Sequence, residues 1–215
     1  MSAPPATAAV PAGWDRHAFL DVHHFANRTG WLQPVMEWFA RDGIFLLAVA
    51  LVVAWWIGRA RRSPRDVATA VWGALGALVA LAVVQPIASA ANETRPFVAL
   101  KFMPLIHHSA DAGFPSDHAT AAGAVACGVF LVSWRLGAIT TLLSLIIAFS
   151  RVYVGVHYPQ DVLAGLALGA VIVAIGYFTV VPLMTRIADW LTRTPLRPLI
   201  TAGEVDAATE AHEPA

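Results

Sequence analysis

The sequence predicts an all-α fold: a polytopic membrane bundle of five to six helices with an N-terminal amphipathic helix. Two observations carry this prediction. The chain is 58% hydrophobic and only 13% charged, whereas about a quarter of the residues of an ordinary soluble protein are charged. Its apolar residues also form long runs, and a helix needs about 20 mostly apolar residues to cross a bilayer. The chain is therefore an integral membrane protein.

Five apolar stretches are candidates for membrane-spanning helices: residues 35–57, 67–91, 119–134, 136–153 and 162–184. The first is the weakest, because Glu37, Arg41 and Asp42 interrupt it. Its uninterrupted part is short for a span at about 1.5 Å per residue, so its outer part is expected at the membrane interface. In the last stretch, Gly165 and Gly169 form a GxxxG step, which we expect to serve internal helix packing rather than a dimer face.

An amphipathic segment, WDRHAFLDVHHFANRTGW, precedes the first span and places Phe19, Val22 and Phe25 on one helical face. This pattern predicts a helix that lies on the membrane or packs against the bundle. The chain ends are polar or rich in small residues and are expected to be disordered, and the N-terminal end does not resemble a cleaved signal peptide. The predicted N-terminal tail, membrane domain and acidic C-terminal tail cover residues 1–13, 14–200 and 201–215.

The distribution of charge along the chain gives its expected orientation in the membrane. The formal net charge is zero, so nothing indicates a nucleic-acid partner, and the single cysteine, Cys127, cannot form an internal disulfide. The loop GRARRSPRD contains four arginines, and loops rich in Lys and Arg stay in the cytoplasm. Counting spans from this loop predicts a multi-pass protein of the cell (inner) membrane with a cytoplasmic C-terminus. Residues 92–118 and 151–161 then both face the extracytoplasmic side.

These two outer loops contain polar residues suited to anion chemistry. The first carries Arg95-Pro96 and then Pro115-Ser116-Asp117-His118, which runs directly into the third span. A helix N-terminus attracts anions because its first amides are unpaired and its dipole is positive there. The second loop carries Ser150, Arg151, His157 and Asp161. Taken singly, such residues would be interfacial charges or helix caps, but paired arginines favour a phosphoryl group.

Together the three motifs resemble the signature of the type-2 phosphatidic acid phosphatase superfamily. They are Arg-Pro, then Pro-Ser-x-His, then Ser-Arg followed by His and Asp at the family spacing. The segments RPFV and SADAGFPSDHAT, with Asp117, more narrowly resemble the bacterial bacitracin-resistance type of undecaprenyl-diphosphatase. One position departs from the family, since Ala88 stands where a lysine usually precedes the first motif. Candidates to replace that lysine are Lys101, His107 and His108.

The resemblance implies a role for each motif residue. His157 would attack the terminal phosphorus, and Asp161 would hold its other ring nitrogen. His118 would protonate the departing oxygen and then activate water. The phosphate oxygens would be held by Arg95, Arg151, Ser116 and the amides near Asp117, with Lys101 and His108 as possible auxiliaries. No metal and no other cofactor is implied.

The leading functional hypothesis is hydrolysis of undecaprenyl diphosphate to undecaprenyl phosphate and phosphate through a phosphohistidine. The expected partner is thus an isoprenoid or glycerolipid phosphate in the membrane; oligomeric state is open. Phosphatidylglycerol phosphate, phosphatidic acid and lipid A remain possible substrates, and transfer to a sugar acceptor is possible too. A different class, a metal-dependent hydrolase, would use His107, His108, Asp111, His118, His157 and Asp161 as ligands. A transporter is disfavoured, because the middles of the spans contain almost no ionisable groups.

Overall fold

The computed structural model describes residues 13–202 of the chain. Over this range it is helical without strands, and one antiparallel bridge joins Thr94 to Ala112. The helices are α1 (Gly13–Arg28), α2 (Gln33–Asp42), α3 (Ile44–Ala60), α4 (Pro64–Ala91), α5 (Pro96–Ala99), α6 (Asp117–Val132), α7 (Trp134–Tyr153), α8 (Pro159–Thr179) and α9 (Val181–Leu191). The predicted all-α membrane bundle is confirmed. The predicted tails lie almost entirely outside the described residues.

Three of the helices, α4, α7 and α8, are long and apolar enough to cross a membrane. The predicted first span is instead broken at Gly43 into α2 and α3, which meet at a bend of 56° and would together make a fourth. A side chain at Gly43 would contact Ile147 of α7, so the glycine allows this close packing. The predicted third span is α6, which has 16 residues and is shorter than the roughly 30 Å hydrocarbon core at about 1.5 Å per residue.

The short helix α6 occupies the centre of the bundle and packs against α3, α4, α7 and α8. Its contact with α8 depends on small residues, because a Cβ at Gly169 would overlap the Thr120 carbonyl and one at Gly165 would meet the Ser116 carbonyl. The predicted internal role of the GxxxG step is thereby confirmed. The same contact joins the N-termini of α6 and α8, since the Ser116 amide donates to the Asp161 carbonyl at 3.1 Å.

The amphipathic helix α1 packs against α7 and α8. Its buried residues are Asp15, Phe19 and Ala26, and the Phe19 ring meets the edge of Tyr158 at a centroid distance of 5.3 Å. Phe25, which was predicted on the same face, is 45% exposed. The buried stripe runs through Asp15, Phe19 and Ala26, and it includes a polar residue, Asp15, that hydrophobicity does not mark.

The other end of the bundle carries the arginine-rich loop. There the Ala202 amide donates to the Arg59 carbonyl at 3.1 Å, and Val67, Ala188 and Ile200 form a small apolar cluster. Thr201 is also buried, so ordered packing extends slightly beyond residue 200. The motif residues lie at the opposite pole of the bundle. There the ends of α4 and α7 meet the starts of α6 and α8.

Candidate active site

A polar cavity of about 280 Å³ opens at this pole of the bundle. It lies between the end of α4, the loop that follows α5, the start of α6 and the end of α7. Its lining residues are Gln85, Ala88, Ser89, Arg95, His108, Asp111, Ala112, Pro115, Asp117, His118, Arg151 and His157. All three sequence motifs thus contribute to one site.

Most of the predicted site residues line this cavity, and Asp161 lies directly behind His157. Three others do not line it. The buried Ser116 is the N-cap of α6, and its hydroxyl accepts a hydrogen bond from the Ala119 amide at 3.5 Å. Lys101 is an exposed residue with a left-handed backbone, φ 55°, and His107 is exposed. Of the three candidates to replace the family lysine, the structure places only His108 on the cavity wall.

His157 and Asp161 form a buried pair where α8 begins. His157 Nδ1 lies 3.2 Å from Asp161 Oδ2, and the same oxygen accepts the Tyr158 amide at 2.8 Å. Pro159 begins the helix and fixes the backbone between them. Burial, reinforced by the positive charge of Arg151, holds the pKa of His157 well below its ordinary value. The imidazole is therefore neutral. Because Arg95 Nη1, 3.1 Å from Nε2, can only donate, Nε2 accepts and the ring proton lies on Nδ1, which donates to Asp161 Oδ2.

Arg95 is a buried cation of the site, and several polar contacts fix its side chain. It is only 5% exposed, and its guanidinium makes four contacts. Its Nη1 lies 3.1 Å from His157 Nε2 and 3.2 Å from the Val156 carbonyl, its Nη2 lies 3.2 Å from the Ala112 carbonyl, and its Nε lies 2.9 Å from Asp111 Oδ1. These contacts fix a planar fork of donors beside the reactive ring nitrogen.

Arg151 supplies a second buried cation. It is 2% exposed, and its Nη1 donates to the Ala40 carbonyl of α2 at 2.7 Å. Its Nε is buried without a hydrogen-bond partner among the described residues. Arg151 also lines the cavity, so its guanidinium brings a second positive charge to an anion bound there.

His118 lies between the polar cavity and an apolar groove. The groove has a volume of about 160 Å³ and is lined by Ile44, Leu81 and Ala121, together with Asp117 and His118. Its apolar walls come from α3, α4 and α6. A molecule with a phosphate in the cavity and a hydrocarbon chain in the groove would therefore pass His118 where its two parts join.

Sequence reasoning missed a polar cluster behind His157. Glu93, Gln160 and Asp15 are close together there, and the Gln160 amide group and backbone contact the two carboxylates. The sequence offers little signal for them, because they lie in separate segments and match no motif. Asp111 was named only as a ligand of the alternative metal site, but in the structure it pairs with Arg95.

Two buried arginines, a helix N-terminus and a neutral histidine backed by a carboxylate are the groups that a phosphoryl-transfer site would use. Because that site lies at one end of a helical membrane bundle, the protein belongs to the class of integral membrane phosphatases.

Comparison with known proteins gives the family. A model described as the PAP2 superfamily matches residues 69–184. Undecaprenyl-diphosphatase BcrC of Bacillus subtilis is 30% identical over 175 residues, which is 81% of this chain and 88% of that protein. The putative undecaprenyl-diphosphatase YbjG of Escherichia coli is 34% identical over 143 residues, 66% of this chain and 70% of that protein. The chain belongs to the PAP2 superfamily and is a membrane lipid phosphatase.

A solved structure supports the fold. The crystal structure of Aquifex aeolicus LpxE matches with a TM-score of 0.64 and 22% sequence identity, covering 79% of this chain and 98% of that one. The family model and the two relatives confirm the sequence-based assignment to the type-2 phosphatidic acid phosphatase superfamily.

Proposed function

We propose that this protein removes the terminal phosphate of undecaprenyl diphosphate, through a phosphohistidine, and releases undecaprenyl phosphate and inorganic phosphate. The observation that carries the proposal is the orientation of His157, whose Nδ1 is paired with Asp161 while Nε2 faces Arg95 in the cavity. The choice of substrate is supported by the names of the two relatives, both of which describe undecaprenyl-diphosphatases.

In the first step, His157 Nε2 forms a bond to the terminal phosphorus as the bond from phosphorus to the bridging oxygen breaks. The electron pair of the broken bond stays on that oxygen, which leaves with the lipid phosphate and takes a proton from His118. Asp161 stabilises the positive charge that develops on the imidazole. Arg95 and Arg151 hold the equatorial oxygens, where charge stabilisation supplies most of the catalysis.

In the second step, His118 accepts a proton from water while the water oxygen attacks the phosphohistidine. The N–P bond breaks, its electron pair returns to His157 Nε2, and inorganic phosphate is formed. The neutral imidazole is restored, so each turnover consumes one water and needs no other reactant. The low pKa of His157 suits this cycle, because the ring stays unprotonated and ready to attack.

The groove beside His118 would orient the substrate, with its lipid chain in the groove and its phosphates in the cavity. Its walls of Ile44, Leu81 and Ala121 suit the first part of an isoprenoid chain, with the remainder in the bilayer. The bridging oxygen would then lie next to His118, on the leaving-group side. The arginine-rich loop lies at the other pole and favours a cytoplasmic position, so the active site would face the extracytoplasmic side of the cell membrane.

His108 takes over part of the role of the family lysine. Ala88 lines the cavity and leaves room there, and His108 lines it as well, with its ring centroid 6.2 Å from that of His157. Its Nδ1 lies 3.1 Å from the Ser109 carbonyl, so the neutral ring donates there. Only the protonated ring has a second N–H for the phosphate.

The reaction is proposed to need no metal. Across residues 13–202, no group of three or more His, Cys, Asp and Glu side chains could hold a metal ion. A metal-dependent hydrolase with the same side chains would lose activity to a chelator. The phosphohistidine route would persist in EDTA and would be inhibited by vanadate, which mimics pentavalent phosphorus.

The test is phosphate release by the purified protein in detergent with EDTA present. Undecaprenyl diphosphate would be compared with phosphatidylglycerol phosphate, phosphatidic acid and lipid A. We expect the fastest release from the diphosphate and a loss of at least about a thousandfold in His157→Ala. His107→Ala is the matched control, since that histidine is exposed and does not line the cavity. Normal activity in His157→Ala would refute the mechanism, and faster release from another lipid would change the substrate.

A further inference from the structure

The amphipathic helix α1 contacts both ends of the segment that carries His157. That segment joins α7 to α8 and is buried throughout. On the α8 side, the Phe19 ring meets the edge of Tyr158 at a centroid distance of 5.3 Å. On the α7 side, the hydroxyl of Thr29, directly after α1, lies 2.7 Å from the Tyr153 hydroxyl. The helix α1 is thus fastened across the segment that holds the proposed nucleophile.

The N-cap residue of α8 does not cap its helix with a side chain. By contrast, α4 and α6 follow Ser63 and Ser116, whose hydroxyls accept backbone amides of the first turn. The corresponding residue of α8 is Tyr158, and its hydroxyl is buried with no hydrogen-bond partner among the described residues. Pro159 has no amide hydrogen. The first amide that α8 must pair is therefore that of Gln160.

Asp15 of α1 supplies an acceptor for this amide. The Asp15 side chain is fully buried, and its Oδ1 accepts the Gln160 amide at 2.8 Å across 145 residues of sequence. An oxygen on this amide is what an N-cap side chain normally provides, and here it comes from another helix. Gln160 directly precedes Asp161, the residue that pairs with His157. The bond therefore fixes the helical turn on which that pair depends.

Asp15 can act here through its oxygen rather than through its charge. Burial raises the pKa of Asp15, partly offset by the bond from Gln160. Glu93 is a second acid beside it, since the charge of Asp15 helps to raise the pKa of Glu93. Neighbouring buried acids disfavour a full negative charge on each. An uncharged amide oxygen would accept the same bond, because Asn and Asp are about equally effective as helix caps.

We propose that Asp15 is a positioning residue, which caps α8 from α1 and so holds Asp161 and His157 in the geometry needed for attack. The inference rests on the proposed function of His157. Loss of the bond would leave the start of α8 free to shift relative to the cavity. A shift of about 1 Å can cost about a hundredfold in rate even when its cause is far from the reacting atoms.

The proposal predicts how two substitutions at Asp15 differ. Asp15→Ala removes the acceptor and should lower kcat about ten- to a hundredfold. It should change KM little, because Asp15 is not among the residues that line the cavity. Asp15→Asn keeps an oxygen for the Gln160 amide and should retain most of the wild-type kcat. Asp21→Ala is the matched control, since Asp21 is an exposed acid of the same helix.

The experiment measures kcat and KM per folded protein for wild type and the three variants, with thermal unfolding in detergent to show that each is folded. Full kcat in Asp15→Ala would overturn the proposal. So would an Asp15→Asn enzyme as impaired as Asp15→Ala, because an acceptor oxygen would then not suffice. A loss confined to KM would also overturn it, since Asp15 would then act on substrate binding.

Hydrogen exchange of the Gln160 amide separates this inference from the proposed function. If the wild type releases phosphate from none of the lipids, the proposed function fails, but the bond to Asp15 can still be measured. We expect this amide to be protected in wild type, Asp15→Asn and Asp21→Ala, and to lose protection in Asp15→Ala. Unchanged protection in Asp15→Ala would overturn the capping role. Should that variant fail to fold, fast exchange of this amide in the wild type would overturn it as well.

Discussion

Arg95 and His157 are in direct contact, with the arginine Nη1 only 3.1 Å from the ring Nε2. The nitrogen proposed to attack phosphorus is therefore already beside a cation proposed to hold the phosphate. Arg95 Nε is meanwhile paired with Asp111 Oδ1 at 2.9 Å, and the Asp111 side chain is 61% exposed. A bound phosphate would compete with this exposed carboxylate for the same guanidinium.

Arg95→Lys should impair catalysis although it keeps the positive charge. Lysine has no planar fork and cannot reproduce the four contacts of the guanidinium, so we expect kcat to fall about a hundred- to a thousandfold, as when one preorganised donor is lost. Steady-state phosphate release measures this. Arg41→Lys is the matched control, because Arg41 is exposed and pairs with Glu37 of the same helix, its one ion-pair partner within residues 13–202. A similar kcat in both variants would show that charge alone is needed.

The acid limb of the pH profile should lie well below pH 6.5, the ordinary pKa of histidine. The pKa of His157 is lowered by burial and then by the charges of Arg151 and Arg95. Because the neutral ring is the nucleophile, kcat/KM should fall only when pH drops through this lowered value. Measurement of kcat/KM against pH checks it. An acid limb at or above the ordinary value would contradict the neutral, buried nucleophile.

His108→Ala should weaken substrate binding, and more so at acid pH. Burial and then Arg95 lower the pKa of His108, so the ring becomes a phosphate donor only as pH falls. We expect the ratio of variant to wild-type KM to rise toward about tenfold at low pH, equivalent to about 1.5 kcal/mol for a charged hydrogen bond. Lys101→Ala, outside the cavity wall, should leave KM unchanged. The reverse pattern would make Lys101 the replacement for the family lysine.

Gly169→Ala should destabilise the bundle by about 1–3 kcal/mol, the usual cost of overpacking. Its new methyl group would overlap the Thr120 carbonyl and push α8 away from α6. Thermal unfolding in detergent measures the effect. Gly30→Ala is the control, since nothing lies within 4 Å of a Cβ there. Equal unfolding temperatures for the two variants would show that α6 and α8 are not tightly packed at this point.

Much of the site could be predicted from sequence because its central pair is local. His157 and Asp161 are four residues apart across one helix start, so their pairing follows from the backbone conformation that Pro159 imposes. Arg95 and His118 were found through motifs rather than through geometry. The same motifs misled at Ser116, whose hydroxyl caps α6 and does not line the cavity, because a motif gives residue identity but not side-chain direction.

The sequence by itself determined the helical membrane bundle, since apolar runs of this length must satisfy their backbone hydrogen bonds internally. It also determined the His157–Asp161 pair. Only the tertiary structure decided the break at Gly43, the placement of His108 rather than Lys101 in the cavity, and the contact of Glu93 with Gln160, 67 residues apart. Such contacts arise from how close α6 and α8 approach and where α1 docks, and no local pattern of hydrophobicity or spacing encodes these distances.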